Sequence, residues 1–226
     1  MSSWRYVFLL SSLPRLGGLD AVRSLPIGHS TLRDRLSVFE PAQLAALATV
    51  ETLLQWPAGW SVLDDGNCLL RLREASRNLP HAALRDHCAA RLQIMTVLGA
   101  LRARRRGASV APQWLRASGE IGARLKQRWS DPEFGLSIPY PWLGEVIGHF
   151  GAADWEGLER GLIRHEYAGL AATQAASGYG FEAVAAYVLR WELLSRWLEF
   201  DAGRAAARMA SVLSSVWPRG ESCRGT

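Results

Sequence analysis

Lysine is almost missing from this sequence: Lys126 is the only one, and arginine supplies every other basic residue in a total of 26. The positive excess, +5 at neutral pH, is spread over nearly every segment, alongside abundant Ala and Gly and only two asparagines, Asn67 and Asn78. A coding bias toward GC-rich codons produces such a composition. A dedicated nucleic-acid surface instead concentrates its cations on one face or stripe, so no nucleic-acid partner is expected. Cysteine is sparse as well. Cys68, Cys88 and Cys223 are odd in number and lack Cys-x-x-Cys spacing, which argues against a secreted disulfide framework and a zinc cluster and leaves free thiols. Long hydrophobic runs are also lacking, since no stretch of about 18 apolar residues is free of charge. The stretch Tyr6 to Leu10 could pass for the core of a signal peptide, but Pro14, Arg15 and Leu16 follow where a small-x-small cleavage site should be. The expected location is cytoplasmic.

The motifs of several enzyme classes are missing too. There is no GxxxxGK phosphate loop, no GxGxxG after a strand, no GxSxG elbow and no HExxH pair. His165 and Glu166 adjoin, but Gly169 stands where a second histidine would complete a metal face. His81 and Cys88, seven residues apart, fall near one face of a helix beside His87, yet two ligands do not make a site. Asp64 and Asp65 begin like a calcium loop, but Cys68, Leu69 and Leu70 occupy positions that would need oxygen ligands, so a turn and helix cap is the better reading. The expectation is a non-enzyme with no catalytic, cofactor-binding or metal-binding residues. The densest basic cluster, Arg102, Arg104, Arg105 and Arg106, sits where a helix should end, and cations there complement the helix dipole.

What the sequence does contain is helical periodicity. With 226 residues, 49% hydrophobic and 21% charged, the chain can bury a substantial core. Pro41 opens a helix with Leu44, Leu47, Val50 and Leu54 on one stripe, ending near Trp56. A short helix from Asn67 and a longer one with Leu84, Cys88, Leu92, Met95 and Leu98 form an αα-hairpin about Pro80. Trp114, Ala117, Ile121, Leu125 and Trp129 define one further helix. Residues 131–141, with three prolines and a glycine, are expected to cross the surface as an extended connection. Trp142 to Phe150 forms a short helix, and Asp154 caps one bearing Trp155, Leu158, Leu162 and Leu170. From Phe181, the series Val184, Val188, Trp191, Ser195 and Leu198 marks a helix packed along a partner, with Asp201 capping a final one. Ten tryptophans are many; Trp114, Trp129, Trp142, Trp155 and Trp191 lie on apolar stripes and read as core, whereas Trp4, Trp60, Trp197 and Trp217 are interface candidates if exposed. The fold expected is an all-α, irregular multi-helix bundle. It comprises a single domain over residues 1–217, a sub-boundary at 131–141, and a disordered tail at 218–226.

Four landmarks occur in a telling order: Tyr6-Val7-Phe8-Leu9-Leu10-Ser11-Ser12-Leu13-Pro14; Asp65-Gly66-Asn67-Cys68-Leu69-Leu70; Arg128-Trp129-Ser130-Asp131-Pro132-Glu133-Phe134-Gly135-Leu136 with Pro141-Trp142-Leu143; and Phe181-Glu182-Ala183-Val184-Ala185-Ala186-Tyr187 with Arg196-Trp197. Together they resemble a bacterial domain-of-unknown-function family associated with V-type ATPases, similar to a reduced C subunit, called d in eukaryotes. The chain is much shorter than those subunits, so the resemblance implies a reduced helical funnel in place of the three-lobed one. It also implies a non-catalytic rotor adaptor between the central shaft and the membrane ring, monomeric when isolated and peripheral at the cytoplasmic face of the inner membrane. Glu182, Glu192 and Arg196 are the interface residues it makes conspicuous. The plain reading of Glu192 and Arg196, four apart on one helix, is an exposed ion pair. The competing functional readings are a helical scaffold or regulator outside the rotor, and a helical enzyme holding a phosphorylated ligand with arginines.

Overall fold

The computed structural model describes residues 4–54 and 65–216. The expectations for Trp56, Trp60, Asp64, Trp217, Cys223 and the 218–226 tail lie outside them. Among the described residues every regular element is helical, and the protein is all-α. The α-helices are α1 (Trp4–Ser12), α2 (His29–Arg35), α3 (Pro41–Leu54), α4 (Asp65–Arg77), α5 (Ala82–Arg105), α6 (Gly119–Gln127), α7 (Trp142–Gly151), α8 (Trp155–Ala176) and α9 (Phe181–Val216). Single 3-10 turns at Leu36–Val38 and Gln113–Ala117 lead into α3 and α6.

Local chemistry accounts for several boundaries. Pro41 occupies the first turn of α3, where its missing N–H costs nothing, and the Gln43 side chain accepts from the Glu40 N–H at 3.1 Å, closing that end. Asp154 caps α8 as expected, accepting from the Gly157 N–H at 2.9 Å. The helix expected through Trp114 and Trp129 is instead two pieces, because Gly119 takes φ +67° between them. The second piece then folds tightly on the first: a Cβ on Gly122 would lie 2.1 Å from the Leu115 carbonyl oxygen. Trp129 falls beyond α6, where its indole N–H donates to the Ala108 carbonyl at 3.2 Å.

Two large apolar cores share two helices, beside a small cluster of Leu69 and Leu72 of α4 with Met95 of α5. The first gathers α1, α2, α3, the start of α5, the second half of α8 and most of α9. The second gathers the end of α5, α6, α7, the start of α8 and the 129–136 segment. The 131–141 segment is not the extended surface crossing its prolines suggest. It winds into successive turns, Phe134 N–H to Asp131 O at 3.1 Å and Tyr140 N–H to Leu136 O at 2.9 Å, and buries Phe134 and Leu136 completely. Arg104 locks it from α5, donating to the carbonyls of Asp131 and Pro132 at 2.7 and 3.1 Å with its guanidinium 4.6 Å from the Phe134 ring centre. That contact holds Phe134 in a left-handed conformation, φ +52°, which a bulky side chain rarely adopts.

Helix α9 packs along α8 as its spacing predicts, and beyond that one stripe it is buried on nearly all sides from Phe181 to Trp197, as central helices are. Asp201 does not begin a new helix, since α9 runs unbroken to Val216. Across its face lies the irregular segment 13–28, held by three aromatic donors: Tyr187 hydroxyl to Pro14 O at 2.8 Å, Tyr167 hydroxyl to Gly17 O at 2.6 Å, and Trp191 indole N–H to Ile27 O at 2.9 Å. Trp191→Ala should lower unfolding free energy by about 3–5 kcal/mol, and Trp191→Phe, which keeps most of the ring but loses the bond to Ile27, by about 1–2 kcal/mol. Urea unfolding of both variants checks this; equal losses would mean that the indole bond, not the burial, holds the segment.

Candidate functional site

The antiparallel run of α5 against α8 leaves an open groove of about 560 Å³ where α5 ends and α8 begins. Its floor is apolar: Leu98 from α5, Phe150 from α7, and Leu158 and Leu162 from α8. Arg102, Arg105 and Arg106 stand along the α5 rim. On the other side Trp155 is 52% exposed, a correction to its expected place in the core. The reason is positional: it is the first residue of α8. Phe150 meets Trp155 edge-on, with ring centres 5.5 Å apart, and the Arg105 guanidinium lies 5.1 Å from the Trp155 ring centre. Glu159, the acidic group in the lining, is engaged by Arg196 at 2.5 Å. Apolar floor, aromatic wall and cationic rim together form a surface suited to binding an amphipathic anion.

Between the two cores lies a different kind of site. Arg91 of α5 and Glu166 of α8 form an ion pair that is almost completely buried. His87 stands one turn before Arg91, its Nε2 shielded from solvent and without a hydrogen-bond partner among the described residues. Desolvation pushes its pKa below the ordinary value, Glu166 opposing and Arg91 assisting. His165 is likewise pushed down by burial, stacked on Trp142 at 4.1 Å between ring centres. Burial drives the Cys88 thiol up to about 12, so it is inert as a nucleophile. His81, which precedes α5, packs its ring against Phe181 at 4.2 Å. No grouping of three or more metal-ligating side chains occurs among the described residues.

The three interface residues suggested by sequence point at three different elements. Glu182 accepts from the Ala83 N–H at the start of α5 at 3.3 Å. Glu192 faces Arg33 of α2 at 3.3 Å, and Arg33 also reaches Glu51 of α3 at 2.8 Å. Desolvation, with Glu51 nearby, raises the Glu192 pKa despite Arg33. Arg196 turns to Glu159 of α8 in place of Glu192, because a neighbouring helix presents a carboxylate closer than the adjacent turn does. Of the tryptophans offered as exposed candidates, Trp4 is 68% exposed, one turn from Phe8 at 72%, whereas Trp197 is 1% exposed beneath the guanidinium groups of Arg160 and Arg164. Sequence reading thus missed Trp155 and the groove. The available signal was a tryptophan immediately after a helix cap, together with an arginine run at another helix end.

A family model described as "Protein of unknown function (DUF2764)" matches residues 72–212. No curated protein and no solved structure matches the chain.

Removing one partner of the buried pair leaves an uncompensated charge, so Arg91→Ala should cost about 3–5 kcal/mol of stability. The double variant Arg91→Met with Glu166→Met should recover most of it. Denaturant titration decides, and a single variant within about 1 kcal/mol of the parent would show that the pair is hydrated in solution. The depressed histidines fix a sign for pH. Their contribution is complete above the ordinary histidine value of 6.5 and is lost as pH falls through it, because the unfolded chain takes up protons that the folded chain refuses. His87→Leu should flatten the decline in melting temperature between about pH 7 and 5, and an unchanged slope would assign the acid sensitivity to His165 or to the carboxylates.

Proposed function

We propose that this chain, which belongs to the DUF2764 family of proteins of unknown function, is a non-catalytic helical adaptor that assembles with a V/A-type ATPase, between the central shaft and the membrane ring. The observation that carries the adaptor reading is the groove between α5 and α8. An exposed tryptophan beside an apolar floor and arginines has the character of a protein-docking surface, where aromatic and Arg anchors supply most of the energy. The ATPase as partner rests on the sequence landmarks, among them Asp65-Gly66-Asn67, Arg128-Trp129 and Phe181-Glu182.

A torque-bearing spacer needs stiffness more than chemistry. Helix α9, 36 residues long, spans about 54 Å at 1.5 Å per residue, and its first half is held on nearly all sides by the first core. Burial shifts Cys88 and Tyr187 toward their neutral, unreactive forms. No helix among the described residues is long and apolar enough to cross a membrane, so attachment to the ring would run through protein contacts.

Affinity purification of the tagged chain from detergent-solubilised membranes of its own host should bring down the shaft and ring subunits in fixed stoichiometry. Their absence, with the tagged chain itself recovered intact, would refute the ATPase assignment.

A further inference from the structure

Both walls of the groove are read at helical spacing. Leu98, Arg102 and Arg105 fall four and three residues apart along α5, and Trp155, Leu158 and Leu162 fall three and four apart along α8. The opening is therefore the channel between two antiparallel helices over about two turns, roughly 11 Å, and a third helix laid in it would complete the packing. Its floor demands apolar side chains at i, i+3 or i+4 and i+7. Its rim supplies the charge requirement through Arg105, exposed on the α5 side beside Trp155, while Glu159 in the lining is already bound by Arg196. We infer that this groove binds an acidic amphipathic helix from a protein partner, its apolar stripe seated on Leu98, Leu158 and Leu162 and its carboxylates facing Arg105. The assignment deepens the adaptor reading and rests on it, since it names the surface and the chemistry by which the partner is held.

Guanidinium groups suit this occupant. They form bidentate bonds with carboxylates, and Arg105, held against Trp155, offers both a cation and a flat apolar face to a helix lying across it. Trp155 closes the far side, supplying a large rigid contact area with only two torsions to freeze. An occupant of opposite charge, with lysines flanking its apolar stripe, would set like charges against the rim and be rejected.

The test uses the full chain and a synthetic amphipathic helix of about 18 residues, Leu and Trp on one face and Glu on the other, alongside the same peptide with Lys for Glu. Anisotropy titration should show the Glu peptide binding, more weakly at high salt, and the Lys peptide not binding. Arg105→Glu and Trp155→Ala should each raise its Kd by about tenfold or more with melting temperatures near the parent's, whereas Trp4→Ala, at an exposed tryptophan elsewhere, should leave Kd unchanged. No binding of the Glu peptide, equal binding by Arg105→Glu, or a loss confined to Trp4→Ala overturns the assignment. So does sedimentation with phosphatidylglycerol vesicles that depends on Arg105 and Trp155 while the peptide fails to bind, which would make the groove a lipid site. The two readings fail separately. Wild-type chain that binds the Glu peptide but brings down no ATPase subunit removes the ATPase partner and keeps the groove. Variants Arg105→Glu and Trp155→Ala that retain ATPase subunits as wild type does remove the groove and keep the adaptor.

Discussion

The buried pair of Arg91 and Glu166 sits where the two apolar cores meet. Below it, Leu84 and Cys88 of α5 and Tyr167 and Leu170 of α8 belong to the first core; above it, Ile94 and Leu98, with Leu158 and Leu162, belong to the second. Apolar contacts tolerate sliding of one helix along another, because one leucine replaces the next. A desolvated charge pair does not, since a shift by one turn would strand both charges in low dielectric. The pair therefore fixes the antiparallel register of α5 and α8. That register carries outward: eleven residues further along α5 stands Arg102, eleven residues back along α8 stands Trp155, and the groove lies between them.

The N-terminal part of the chain depends on the same helices by other means. Residues 13–28 form no regular element, so their carbonyls need partners from elsewhere. Tyr167, Tyr187 and Trp191 supply them, each with a ring in the first core and its polar tip at a carbonyl. Arg35 adds a donor to the Ser12 carbonyl. The three aromatic bonds join residues 150 to 173 positions apart, which is why nothing local in the sequence announces them.

What was legible in the sequence was whatever depends on neighbours along the chain. The hairpin of α4 and α5 about Pro80 and the Asp154 cap come from spacing and short-range chemistry, and the structure contains both; of the α3 stripe, Leu47 and Val50 are buried but Leu44 is 39% exposed. What was illegible depends on neighbours in space. Prolines in 131–141 signal turns correctly, but whether those turns face solvent was settled by Arg104, which reaches them from α5. Trp155 and Trp197 both lie on helices with apolar stripes; one is exposed because α8 begins there and the other buried because α8 lies alongside it, and periodicity cannot separate the two cases. Arg196 was matched with Glu192 by the i, i+4 rule, yet Glu159 on the adjacent helix won.

The arginine bias that opened the sequence has a structural consequence of its own. Guanidinium planes lie against aromatic rings throughout the fold: Arg104 on Phe134, Arg160 on Trp197, and Arg190 on Tyr167, each between 4.0 and 4.6 Å from the ring centre. A lysine ammonium, compact and strongly hydrated, has no flat face to stack in this way. The arginine-rich composition is thus used in the packing, with Arg104, Arg160 and Arg190 each set against a ring. The groove combines the same two elements, guanidinium and aromatic ring, but leaves both open to solvent at Arg105 and Trp155.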